Sequence, residues 1–506
     1  MIGTWCRRIF KRFKDKMADD LKNKTAKGVA WGFMDNLIGT GILAVVNIIL
    51  ANILSPEEFG LVGMTSIFIS LSTALVDSGF TNALTRKKIV NEEDLNTVFY
   101  FNVLTALVLY LILFFSAPAI SSFFQQDILQ DIIRIIGLVL VINAAGIVQK
   151  VQLVRKIDFK TQAFISLISS VISGLVGIIM ALKGYSVWSL VCMQICRAVV
   201  ITLLLWILSR WIPSWKFSKK SFGEMFSFGG KLLLSCIISN LWTEIYSLII
   251  GKIYSPGTLG QYMRADKFKS LVTSNVSIVV QRVSYPVLSQ IQDESYRQAR
   301  IYRRILRMTI MISSAAVLGL AAVAEPAVLI LIGDQWIPSI PYLQILCLSG
   351  LFLPVMIISA NVINADGHSG KTLKLEIFKT LLTIFPIMLG IWFNIEALLW
   401  GMVVVAIIAS LAYSKAVSKV IPYTMWQQFK DCVPIILSSG VMAAIVWLIS
   451  LIHLPLFPMI VLQIISGILI MIFIYERVFR LDEYYEVKYY IKEEIQKHFS
   501  KKIHKH

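Results

Sequence analysis

Apolar stretches long enough to cross a membrane follow one another along nearly the whole chain, and that succession leaves few folds open to it. Crossing the hydrocarbon core takes about 20 mostly apolar residues, and lipid offers a backbone amide no partner, so each stretch must close its own hydrogen bonds as a helix. Fourteen spans are read on this basis: 29–54, 59–84, 97–116, 132–153, 161–182, 187–208, 229–254, 260–288, 306–324, 343–364, 378–393, 396–413, 433–451 and 456–474. The eighth is the least apolar. The predicted fold class is therefore an all-α integral membrane protein with about fourteen transmembrane helices.

A short motif returns 200 positions later: Ile53, Ser55, Pro56 and Gly60 recur as Ile253, Ser255, Pro256 and Gly260. Each copy follows one span and opens the next, and the flanking spans line up too, which predicts two related helical bundles in tandem. Transporters are often built from such repeats, with the substrate path where the repeats meet.

Charge fixes the orientation. The chain carries 48 Lys and Arg against 30 Asp and Glu, a surplus that on a soluble protein would suggest nucleic acid. Here 36 of those cations fall on alternate connections and the two chain ends, while the opposite connections hold Lys183 alone. By the positive-inside rule both termini are cytoplasmic, as an even number of spans also requires, and no nucleic-acid partner is expected. The expected location is the bacterial cytoplasmic (inner) membrane, with many passes. The first apolar segment begins near Val29 and is of full span length, so no cleavable signal peptide is read. Cys6, Cys192, Cys196, Cys236, Cys347 and Cys432 all lie in spans or cytoplasmic segments, which argues against a disulfide framework. Cys192 and Cys196 share a helical face and read as packing residues, because no further metal ligands accompany them.

The sequence divides into a basic cytoplasmic segment (1–28), a first lobe (29–210), a cytoplasmic linker (211–225), a second lobe (226–420), two appended spans (421–475) and a cytoplasmic tail (476–506). Within the first segment Trp5, Ile9, Phe13, Met17 and Leu21 recur every four residues among Arg and Lys, the pattern of an amphipathic helix lying on anionic lipid. Met17 is also an alternative translation start. Gly333 to Trp336, followed by Pro338 and Pro341, predicts a structured outer connection, and Pro286 and Pro386 are candidate kinks. The external connections are about fifteen residues at most, too short for a catalytic domain, and no GxxxxGK[ST] loop is present, so nucleotide drive is not expected.

A charge at membrane depth costs at least about 2.5 kcal/mol on insertion scales, so those retained are candidates for function. Asp35 and Asp77 lie toward the cytoplasmic ends of the first two spans, Arg197 in the middle of the sixth and Glu244 in the middle of the seventh. In the eighth span Arg264, Lys267, Asn275, Arg282 and Tyr285 fall within an arc of about 80° at helical spacing. One face is thus polar and cationic along its length, suited to an anionic head group and unsuited to lipid. The substrate-binding set is Arg264, Lys267, Asn275 and Arg282, with Arg197; the ion-coupling candidates are Asp35, Asp77 and Glu244. Plainer roles stand beside these: Asp77 stabilising the end of its helix before Ser78 and Gly79, Arg197 paired with an acid on a neighbour, and Lys231 and Lys252 snorkelling to the interface.

Residues 24–420 resemble the multidrug/oligosaccharidyl-lipid/polysaccharide exporter superfamily, and within it the polysaccharide transporters of the Wzx and WzxC type. The stretches that carry the likeness are LSPEEFGLVGM (54–64), VDSGFTNALTRKK (76–88), KGYSVWSLV (183–191), YSPGTLGQYMRADKF (254–268), QRVSYPVLSQIQ (281–292), LIGDQWIPSIPYLQIL (331–346) and NADGHSGKTLKLEI (364–377). The resemblance implies two pseudo-symmetric six-helix lobes plus two C-terminal helices, and no enzymatic activity. It also implies a flippase that passes undecaprenyl-diphosphate-linked oligosaccharide from the cytoplasmic to the periplasmic leaflet by alternating access, for synthesis of O-antigen, capsule or exopolysaccharide. Coupling to H+ or Na+ is the expectation, with no other cofactor. The expected partners are the lipid-linked oligosaccharide, membrane lipids, and a polysaccharide polymerase with its chain-length machinery. Two readings compete: a cation-coupled multidrug exporter of the same superfamily, and a membrane glycosyltransferase or polymerase.

Overall fold

The computed structural model describes Gly39 and residues 41–478, apart from 78–79, 88–89, 210 and 453. The basic N-terminal segment, Met17, Asp35 and the tail after Val478 lie outside the described residues.

Helix follows helix, and no strand occurs among the described residues. In chain order they are α1 (Gly41–Ile53), α2 (Pro56–Asp77), α3 (Phe80–Arg86), α4 (Glu92–Phe124), α5 (Ile128–Ile136), α6 (Leu138–Ala144) and α7 (Ile147–Arg155). Then come α8 (Phe159–Leu182), α9 (Trp188–Ser209), α10 (Lys219–Ile253), α11 (Pro256–Ser289), α12 (Ser295–Ala322), α13 (Ala324–Ile332) and α14 (Ser339–Gly350). The last six are α15 (Leu353–Ala365), α16 (Ser369–Leu382), α17 (Ile384–Trp392), α18 (Ile395–Val417), α19 (Met425–Ile449) and α20 (Leu456–Phe473).

Each of the fourteen sequence spans has a helical counterpart, but length and composition support fewer crossings. Among the described residues ten helices or joined helix pairs qualify, and α5, α6 and α7 make an eleventh only as one span bent by 43°. Of the remaining three, α1 is a short apolar helix within the described residues, and α10 and α11, 35 and 34 residues long, are not among the ten. Local chemistry sets the ends. Asn91 and Asp94 close a capping box at the start of α4, Asp158 Oδ1 accepts the Thr161 amide at α8, and Thr424 with Gln427 boxes the start of α19. Ser218 caps α10 ten residues before the predicted span, so much of the expected linker 211–225 is helix. Pro386 lies within α17, and the interruption of that span falls earlier, at Thr383.

The chain forms two compact units divided between Gly260 and Gln261. The helix α10 packs along α2 and against α3 and α4 within the first of these units.

In that first unit the 200-residue repeat becomes a physical contact. A Cβ on Gly60 would sit 1.8 Å from the Pro256 carbonyl oxygen, and a Cβ on Gly260 would sit 1.9 Å from the Pro56 carbonyl oxygen. Each copy of the motif supplies the glycine that admits the other copy's proline carbonyl, so two backbones touch where any side chain would hold them apart. A second cluster packs Phe80, Ala83 and Leu84 with Leu95, Val98 and Phe99 of α4, and a third gathers Val76 with Ala106 and Ala144.

In the second unit α12 and α19 pack side by side. Tyr302 Oη bonds to Ser359 Oγ at 2.9 Å and Gln428 Oε1 at 3.3 Å, Arg303 donates twice to Asp431 at 2.6 and 2.7 Å, and Ser314 meets Ser439 at 2.8 Å. The helix α19, read from sequence as an appendage, is therefore held into this unit by a polar seam as well as by apolar packing.

Candidate functional site

The helix that carries the cationic face is continuous from Pro256 to Ser289, even across Pro286. Within the second unit it is pinned at two levels. Near its start, Gln261 Nε2 donates to the Gln335 carbonyl at 2.8 Å, and the Arg264 guanidinium lies over the Trp336 ring, 5.1 Å from its centre. Near its end, Asn361 Nδ2 donates to Ser284 Oγ at 2.6 Å. The structured connection predicted at 333–338 is present: Gly333 adopts φ 87°, a turn of 3-10 helix follows, and Trp336 is fully buried.

Arg264 and Lys267, given one role by their spacing, sit in different surroundings. Arg264 is buried against the indole, whereas Lys267 is exposed and forms no ion pair among the described residues. A planar, weakly hydrated guanidinium tolerates burial on an aromatic face; a compact ammonium does not. Two charged residues outside the predicted set complicate the helix. Lys269 Nζ lies 2.6 Å from Asp266 Oδ1, so that cation is neutralised by its own helix. Asn275 and Arg282 lie on the same helix, with their side chains outside the description, and Tyr285 is exposed.

The other candidates belong to the first unit. Glu244 lies within α10, and its Oε2 accepts a hydrogen bond from Ser66 Oγ of α2 at 2.8 Å. No sequence signal marked Ser66, because a serine in a span is unremarkable until an acid is packed opposite. Arg197 is half-buried in α9, with its Nε buried and without a hydrogen-bond partner among the described residues, so the acid imagined for it does not appear there. Asp77 ends α2 with Oδ1 buried and likewise unpartnered. Lys252 follows the snorkelling expectation, reaching the Phe123 carbonyl with its ammonium 4.6 Å from the centre of that ring. Cys192, Cys196, Cys347 and Cys432 are free thiols. No cluster of three or more His, Cys, Asp or Glu suited to a metal occurs among the described residues.

Polar clasps bind the connections of the first unit. Asn96 donates to Ser214 Oγ at 2.8 Å and accepts the Ser214 amide at 2.7 Å, while Trp211 Nε1 donates to Glu92 at 3.0 Å. Lys87 Nζ lies 2.9 Å from Asp94 and 3.5 Å from Glu224, and the hydrogen bond to Asp94 holds its ammonium above the usual lysine range. Arg155 Nη1 donates to the Leu84 and Lys87 carbonyls, both at 2.6 Å, closing the end of α3.

Against known proteins, residues 49–341 match the family model described as polysaccharide biosynthesis protein. The chain is 28% identical over 329 residues to the succinoglycan biosynthesis transport protein ExoT of Rhizobium meliloti, covering 65% of this chain and 67% of that one. It is 26% identical to the lipopolysaccharide biosynthesis protein WzxC of Escherichia coli, over 73% of this chain and 76% of the other. It is 24% identical to the teichuronic acid biosynthesis protein TuaB of Bacillus subtilis, over 68% and 71%. Among solved structures, an inward closed conformation of the lipid II flippase MurJ superposes with a TM-score of 0.71 at 18% identity, covering 90% of this chain and 98% of that one. An inward-facing multidrug transporter of the MATE family gives 0.60 at 16% identity, over 77% and 98%. The resemblance read from the motifs thus holds: the chain belongs to the polysaccharide biosynthesis protein family and carries the multi-pass helical fold of the multidrug/oligosaccharidyl-lipid/polysaccharide exporter superfamily.

Proposed function

We propose that the chain is a flippase that moves undecaprenyl-diphosphate-linked oligosaccharide from the cytoplasmic to the periplasmic leaflet of the bacterial inner membrane, by alternating access and for surface-polysaccharide synthesis. Relatives named for succinoglycan transport and for lipopolysaccharide and teichuronic acid synthesis support the substrate class and leave the glycan open. The observation that carries the reading is α11, a 34-residue helix in a multi-pass protein that bears an exposed Lys267, without an ion pair among the described residues, one turn from the buried Arg264. A diphosphate supplies the anion such a helix needs, and Arg264 over its indole is held in one orientation to receive it. By their spacing in the sequence Arg282 and Asn275 continue the same face, and Arg197 is a further cation whose Nε has no partner among the described residues.

An inside-negative potential opposes outward movement of an anion by about 2.3 kcal/mol per charge per 100 mV, so a coupling ion is part of the proposal. Asp35, Asp77 and Glu244 are the groups that would exchange H+ or Na+. Both termini are cytoplasmic in this scheme, and the polymerase with its chain-length machinery receives the product. Drug export would call for acids and aromatics facing a cationic substrate, which the charge of α11 disfavours.

The test is transbilayer movement of a fluorescent lipid-diphosphate-linked sugar in liposomes holding the purified chain. Arg264→Ala and Lys267→Ala should each slow it by roughly 10- to 100-fold, the worth of a charge-assisted contact. Unmodified rates in both variants would reject the assigned phosphate site.

A further inference from the structure

The connection between α9 and α10 is laid along the start of α4 and held there at successive levels. Trp211 Nε1 donates to Glu92 at 3.0 Å, Asn96 exchanges two hydrogen bonds with Ser214 at 2.8 and 2.7 Å, and the Ser218 amide donates to Thr97 Oγ1 at 3.0 Å. One turn beyond Asn96, the Trp215 indole stacks on the Tyr100 ring with 5.5 Å between centres. From Glu92 to Tyr100 the helix rises about 12 Å, so the segment follows α4 toward the membrane instead of hanging as a loose tether.

What this clasped segment turns outward is apolar. Ile212 is 74% exposed, Trp215 94% and Phe217 55%, and the exposed Lys216, Lys219 and Lys220 lie among and after them. Three large apolar side chains held out side by side need a cover, and their level says what it is. At 33 residues α4 is about 50 Å long against a hydrocarbon core of about 30 Å, so its first turns pass through the head-group layer. Leu104, one turn beyond Tyr100, is 61% exposed, and Leu107, Val108 and Leu111 continue the exposed apolar stripe into the span. The Trp215 indole prolongs the surface that meets lipid.

We propose that residues 211–217 are an interfacial anchor, with Ile212, Trp215 and Phe217 sunk among phospholipid head groups and Lys216, Lys219 and Lys220 reaching their phosphates. Indoles and lysines suit that layer, because each has an apolar body and a polar tip. Nearby acids are already engaged: Glu92 accepts from Trp211, and Asp94 and Glu224 hold Lys87. The hydrogen bonds to α4 fix the segment's shape in advance, so little ordering opposes insertion. The leaflet concerned is the cytoplasmic one in the topology read from the sequence. This inference goes beyond the flippase reading, since it concerns the bilayer and holds whatever the chain transports.

The experiment places a nitrobenzoxadiazole label at Ile212→Cys, Trp215→Cys and Phe217→Cys of the full chain in lipid nanodiscs, whose two faces are both open to the buffer. Gln292→Cys, at an exposed position in the connection from α11 to α12, is the aqueous control, and the signal of the labelled unmodified chain is subtracted. Lipids brominated near the head of the acyl chain should quench the label at 212, 215 and 217, and these positions should lose most of the iodide quenching seen at 292. Iodide quenching at 212 and 215 equal to that at 292, with no quenching by brominated lipid, would overturn the proposal and leave this face to a soluble partner. The three side chains replaced are exposed, so the substitutions leave the packed interior as it is. Either result leaves the flippase reading to the liposome assay.

Discussion

At the scale of single residues, spacing along a helix and surroundings in the fold say different things about the same side chains. Arg264 and Lys267 are three positions apart, and the 100° rotation per residue puts them on one broad face. Burial separates them: the arginine stacks on Trp336, and the lysine is exposed. Their effects on stability should separate too. Arg264→Ala should lower unfolding stability in detergent by about 1–3 kcal/mol through the lost ring contact and packing, while Lys267→Ala should stay within about 0.5 kcal/mol. Equal effects in thermal unfolding would mean that both are packing residues or neither is. Glu244 was legible as a charge in the middle of a span, which is rare, but its partner Ser66 lies 178 positions away in sequence, and nothing local announces it.

At the scale of elements, the two Ser-Pro motifs were visible as a repeat, and their meeting was not. The reason is that a glycine four residues after a proline has many local explanations, whereas only the crossing shows a carbonyl less than 2 Å from each missing Cβ. Gly60→Ala and Gly260→Ala should each destabilise the first unit by about 1–3 kcal/mol, since neither backbone can yield to the added methyl without parting the helix starts. Gly440→Ala in α19 is the control: nothing lies within 4 Å of its Cβ, so the change should be neutral or stabilise by up to about 1 kcal/mol. Unfolding midpoints of the three variants in one detergent would decide. The linker between α9 and α10 shows a similar limit. Glu92 and Asn96 precede the span read at 97–116 and Thr97 opens it, yet they hold Trp211, Ser214 and Ser218 through hydrogen bonds formed across more than 100 residues.

At the scale of the whole molecule, the alternation of cationic and neutral connections is the strongest statement the chain makes about orientation. It predicts Lys183 on the outer side and Lys371 on the inner side, and both positions are exposed. A cysteine at Lys183→Cys should react with an impermeant maleimide in intact cells, and one at Lys371→Cys only after permeabilisation, measured above the labelling of the unmodified chain with its half-buried Cys192 and Cys196. Reaction of both in intact cells would contradict the topology.

The sequence by itself determined the helical class, the approximate position of each span and the tandem repeat, because burial in lipid imposes length and apolarity on each segment separately. It also marked the charges worth explaining, since each is costly at membrane depth wherever it points. Only the tertiary structure decided which charges are compensated among the described residues and that α10 belongs with α2 in the first unit. Those are properties of pairs of distant residues, and contact between helices, unlike helix formation in a membrane, is not written in any one of them.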